Sequence, residues 1–144
     1  MTENPLTELA YTRAEHARMA IIRRMRAVSC CLESAARLDQ MAFRWSRLEA
    51  KLLRRVAKHD DLVTKHAACE ASVPTPNSPA WLAYVASQRG GARHAENRRA
   101  EAVQANEHSR RCEANAARMR STARKLEQHV RDQAAKLLKA FDDA

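Results

Sequence analysis

Between Ala14 and His66 the chain places apolar or small residues every three and four positions, over more than seven heptads and without a proline or glycine. A pattern with that period folds as a helix, and one that long needs a partner along its length. The a positions are Ala14, Ile21, Val28, Ala35, Ala42, Glu49, Val56 and Val63. The d positions are Ala17, Arg24, Cys31, Leu38, Trp45, Leu52, His59 and His66. Flanking e and g positions add Ala20, Met25, Ala27, Leu32, Met41, Leu48, Leu53 and Leu62, so the stripe is wider than a two-stranded seam and suits more than one partner helix.

Asn4-Pro5 is a helix start, since asparagine caps free N–H groups and proline at the first position has no donor to waste. The helix is expected to run from about 5 to 71, a rod on the order of 100 Å. Arg24 and Glu49 interrupt its seam, and such charges must snorkel or pair with the facing helix. The region 72–91 holds three of the four prolines and both glycines, and is expected to be the corner. Within it Ser78-Pro79 repeats the start signal. The segment Ala80 to Arg89 then reads as a short helix that stops at Gly90-Gly91, and its Trp81, Leu82, Tyr84 and Val85 either plug the end of the hairpin, the favoured reading, or form a partner-binding tip.

A second long helix follows, about 92–141. Its a positions are Ala95, Ala102, Ser109, Ala116, Ala123, Val130 and Leu137, and its d positions are Arg98, Ala105, Cys112, Met119, Leu126, Gln133 and Ala140. The fold class is therefore all-α, a long antiparallel two-helix coiled-coil hairpin with a short helix at the corner. If Ala71 and Arg93 mark facing ends, Leu52 lies near Cys112, Trp45 near Met119, Leu38 near Leu126, Ala35 near Val130 and Cys31 near Gln133. The spare apolar surface of the first helix leaves a monomer or a weak dimer as the expected state.

The formal charge of +9 suits nucleic acid, an anionic surface or an acidic protein. Taken in sequence blocks the excess is spread along the chain, as on a solvated coiled-coil surface. Three basic clusters stand out: Arg23, Arg24 and Arg26; Arg54, Arg55 and Lys58; and Arg110, Arg111, Arg118 and Arg120. They lack interleaved aromatic residues for base stacking and any recognition-helix or zinc-finger pattern, so no specific nucleic-acid reading is expected. No stretch approaches the roughly 18 apolar residues of a membrane span, so no direct membrane insertion is expected. The start lacks a signal-peptide layout and the four cysteines form no framework, which together point to reduced thiols in the cytoplasm.

Nothing in the sequence calls for catalysis or a cofactor: there is no glycine-rich phosphate loop, no H-E-x-x-H and no C-x-x-C. The best metal candidate, His66 and Cys69 with His94 across the corner, is a ligand short of a zinc site. No metal is expected there. Cys30-Cys31 point in different directions on a helix, so no internal bridge is expected, and both read as core or boundary residues.

In length, basic charge, a long first helix, a proline-bearing corner and an alanine-, arginine- and glutamate-rich second helix, the chain from Pro5 to Phe141 resembles the small central-stalk proteins of bacterial type III secretion systems, injectisome or flagellar. The resemblance implies a non-enzymatic rod, peripheral to the inner-membrane apparatus, that couples the hexameric secretion ATPase to the export gate protein. Some members also handle secretion chaperones. The WLAYVASQR segment has no counterpart in that resemblance. Residues singled out for partner binding are Arg23, Arg24, Arg26, Trp81, Tyr84, Arg110 and Arg111. The alternative is a basic coiled coil that binds nucleic acid nonspecifically or serves as a general interaction scaffold.

Overall fold

A computed structural model describes residues 5–68 and 74–143, with residues 66–68 described in backbone only. The fold is an all-α hairpin of two long helices, α1 (Pro5–Ala68) and α2 (Pro79–Asp142), packed against each other. Glu8 lies in the first turn of α1, where the helix dipole favours a carboxylate. Among the described residues of the connection, Thr75-Pro76-Asn77-Ser78 forms a tight turn closed by the Ser78 N–H donating to the Thr75 carbonyl at 3.2 Å. Proline presets the second position and Asn77 takes a φ of 65°, which asparagine tolerates better than most residues. Ser78 then caps α2, its Oγ accepting from the Trp81 N–H at 3.1 Å.

The contacts divide the molecule into two compact units. The terminal unit comprises the described residues of Met1–Asp39 and Glu113–Ala144, and the central unit is Gln40–Cys112. Each is an antiparallel helix pair. In the terminal unit Arg24 meets Gln133 while Asp39, further along α1, meets Arg120, further back along α2. In the central unit Glu49 meets Asn106 and Asp60 meets Arg99.

Burial follows the heptads. Every described a and d position of α1 from Ala14 to His59 is buried or half-buried, and the buried hydrophobic set is dominated by alanine: Ala35, Ala42, Ala95, Ala102, Ala105, Ala116 and Ala123, joined by Val28, Leu52, Val56 and Cys112. Small side chains release little transfer energy each, but they let two backbones approach closely. The flanking Met25, Leu32, Met41, Leu48, Leu53 and Leu62 remain exposed.

Two expectations need correction. There is no separate corner helix: Gly90 and Gly91 lie inside α2, which runs unbroken from Pro79, and neither has a positive φ. Glycine in a helix interior costs about 1 kcal/mol relative to alanine without ending the helix when tertiary contacts hold it. Gly91 has such a contact. A Cβ there would lie 2.8 Å from Nε2 of His59, so the glycine leaves a notch for the imidazole. The end of helix one near Ala71 falls outside the described residues.

The register is also different. Trp45 stacks on His108 instead of facing Met119, roughly three helical turns away, and Gln133 pairs with Arg24, one heptad from Cys31. The expected pairing assumed that α2 started after the glycines. Its start at Pro79 slides one helix along the other.

Two predictions test this account. Gly90→Ala meets nothing within 4 Å and should stabilise the protein by up to about 1 kcal/mol, whereas Gly91→Ala should lose most or all of that gain against His59; a fall in melting temperature for Gly90→Ala would restore the helix stop. Leu52→Asp places a carboxylate in the seam and should lower stability by several kcal/mol, on the order of 3. An unchanged thermal transition by circular dichroism would contradict the seam.

Candidate interaction surfaces

Close approach of the helices sets what the seam of the central unit can hold. Ser109 is buried at an a position, and its Oγ donates to the backbone carbonyl of Ala42 on α1 at 3.1 Å while lying 3.0 Å from the Ser46 hydroxyl. A serine side chain reaches an opposing backbone only where the two helices nearly touch. One turn on, the two carboxylate oxygens of Glu49 each accept from Asn106 Nδ2 at 3.1 Å. The neighbouring Trp45 lays its ring on His108, centroids 4.8 Å apart. Asp60 takes Arg99 in a two-pronged contact at 2.9 and 3.0 Å.

The core-type charges are thus both paired between helices: Glu49 with Asn106, and in the terminal unit Arg24 with the Gln133 amide oxygen. Each fixes register, because a slip of one turn would strand a half-buried charge. His59 is the exception. Its Nδ1 is buried without a hydrogen bond, with a carboxylate oxygen of Asp60 3.6 Å away.

The residues singled out for partner binding do not form one site. Arg23, Arg24 and Arg26 belong to the terminal unit, and Trp81, Tyr84, Arg110 and Arg111 to the central unit. Arg23, Arg26, Arg110 and Arg111 are exposed; Arg24 is half-buried and occupied by Gln133; Trp81 and Tyr84 are half-buried in the first turns of α2. Cys112 is buried and Cys31 half-buried, but Cys30 is exposed, on neither core nor boundary. The His66, Cys69 and His94 set lies partly outside the described residues, and His94 is exposed. Among the described residues no three His, Cys, Asp or Glu side chains gather as metal ligands, and no helix is long and apolar enough to cross a membrane.

A surface that sequence reasoning passed over lies in the terminal unit. Leu6, Leu9 and Tyr11 on α1 and Leu138 and Phe141 on α2 are all more than half exposed, from 51% for Leu9 to 73% for Leu6. A hollow beside them is lined by Ala10, Tyr11, Ala14, Arg18, Leu137 and Phe141. In heptad terms Leu9 is on the outer face of α1, Leu6 on one flank and Tyr11 on the other. The signal available in the sequence was a helix apolar on several sides, a pattern that calls for cover from more than one direction.

The chain matches no protein-family model, no curated protein and no solved structure.

Exchanging Asn106 for leucine removes the donor from a half-buried carboxylate, and should cost roughly 1–3 kcal/mol. Glu49→Leu combined with Asn106→Leu should recover most of it. Denaturant unfolding of both single variants and the double variant checks the coupling, and additive losses would mean that the pair contributes nothing to register.

Proposed function

We propose that this protein is a non-enzymatic central-stalk component of a bacterial type III secretion apparatus, peripheral to the inner membrane, that couples the secretion ATPase to the export gate and can engage secretion chaperones. The observation that carries the reading is the apolar cluster Leu6, Leu9, Tyr11, Leu138 and Phe141. A contiguous exposed apolar patch marks contact with another protein, and Tyr11 and Phe141 line one hollow beside these side chains. Here they lie on different sides of the helix pair. A flat partner covers one side; a ring of subunits around the pair covers all of them. The hairpin and its long continuous helices support the same reading, because a coupling element needs few joints at which a displacement would be lost.

In this reading the seam of the terminal unit keeps the two helices zipped while their outer surfaces work. Val28, Ala35, Ala116 and Ala123 are buried there, and the Arg24 to Gln133 and Asp39 to Arg120 pairs hold the register.

The test is co-elution of the purified protein with the hexameric secretion ATPase encoded in the same genome. Leu9→Asp with Phe141→Asp should weaken the complex at least about tenfold, the scale expected for losing two apolar anchors, while leaving the melting temperature within a degree or two, since both side chains are exposed. Failure of the wild-type protein to bind that ATPase, or undiminished binding by the double variant, would overturn the proposal.

A further inference from the structure

On the outer face of α1 in the central unit, Arg44, Arg47, Lys51, Arg54, Arg55 and Lys58 follow one another at steps of three or four residues, with Arg54 and Arg55 adjacent. That spacing keeps all six on one side of the helix, in a row about 21 Å long. All are exposed, and none makes an ion pair with a described residue. The one carboxylate within this stretch, Glu49, is turned into the seam toward Asn106. Arg47 has its guanidinium 5.8 Å from the centre of the Phe43 ring, the nearest approach to a partner in the row.

Some stretches elsewhere intersperse carboxylates that answer a cation, as Asp61 does for Lys65 and Glu15 for Arg18. The row from Arg44 to Lys58 does not. Like charges at helical spacing oppose one another, so the row weakens the isolated helix and is relieved by an anionic neighbour.

The edges of the row say what kind of neighbour. Met41 and Leu48 are exposed along one edge, and Phe43 along the other. A phosphate backbone has no use for that apolar surface. An anionic bilayer attracts a basic face by charge alone, with no repeat to match the row and no apolar line to pack on Met41 and Leu48. We infer that this face docks an acidic amphipathic α-helix of another protein, its carboxylates one per turn against the cations and its apolar line against Met41 and Leu48. A partner helix repeats every 5.4 Å, as the row does, so the two sets of charges stay in step over four turns. The surface lies in the central unit and does not rest on the ATPase reading.

The probe is a labelled peptide of about 20 residues with glutamates three and four apart and leucines along the adjoining side, enough for about 30 Å of helix. It is compared by fluorescence anisotropy, at about 0.15 M salt where long-range attraction is screened, with a peptide of the same composition in scrambled order and with duplex DNA of about 20 base pairs, long enough to span the row. The ordered peptide should bind best. Arg44→Ala, Lys51→Ala and Lys58→Ala together should weaken it about tenfold, and Met41→Ala with Leu48→Ala about threefold. Alanine favours helix at all five positions. Removing the same amount of charge in the terminal unit, by Arg131→Ala, Lys136→Ala and Lys139→Ala, should change binding less than about twofold, since a screened charge outside the row adds little. Equal binding of the scrambled peptide, equal loss with the control triple variant, or tighter binding of DNA that ignores Met41 and Leu48 would each overturn the inference.

Discussion

The structure depends on how closely two helix backbones can approach. The hydroxyl of Ser109 touching the Ala42 carbonyl is the most direct sign of it, and alanines at positions such as Ala35, Ala102, Ala116 and Ala123 permit it. Few side chains larger than valine find room in such a seam, Leu52 being the exception. Trp45 therefore turns aside to stack on His108, His59 finds space only because residue 91 is glycine, and Met25, Leu32, Leu48 and Leu53 are left on the flanks. A tight small-residue seam thus produces exposed apolar surface. The interaction surfaces are a consequence of the packing and need no separate device.

A seam made this way holds helices together without saying where along each other they should stop. Alanine against alanine fits about equally well after a slip of one heptad, so the apolar contacts discriminate weakly between registers. Polar pairs discriminate strongly, because each misplaced member loses its partner in a half-buried place. Arg24 with Gln133, Glu49 with Asn106 and Ser109 with Ser46 therefore do for register what alanine does for adhesion.

That division explains what could be read from the sequence. Most heptad positions of both helices were legible, down to Arg24 and Glu49 as charges that must be paired, because periodicity is a local property of one chain; Val63, Met119 and Ala140, read as seam positions, are exposed. Their partners were not legible, because pairing depends on where α2 begins, and Gly90-Gly91 looks like a stop unless His59 is known to fill the notch beside it. Among the surfaces, basic residues adjacent in sequence, such as Arg110 and Arg111, drew notice. Of the row from Arg44 to Lys58 only Arg54, Arg55 and Lys58 stood out, since Arg44, Arg47 and Lys51 are scattered in the sequence and align with them only once the helix is wound. The apolar side chains of the terminal unit were missed for another reason: Leu6, Leu9 and Tyr11 fall outside the a and d stripe, where single apolar residues are ordinary on a helix surface.

Charge counted in sequence blocks looked even, but the folded units divide it unevenly. Gln40–Cys112 carries thirteen Lys and Arg against seven Asp and Glu, a net +6, while the remainder carries thirteen against ten, a net +3. Much of the difference sits in the row on α1. Each like-charge neighbour three or four residues away costs a helix about 0.2–0.5 kcal/mol, and this row contains several such neighbours with no carboxylate among them. A surface required only to be soluble would be more stable with glutamates interspersed, as around Lys65. The uncompensated row lowers the stability of the free protein, and an acidic helix bound along it would return that stability. Part of the affinity for such a partner is therefore already present in the free protein as repulsion waiting to be relieved.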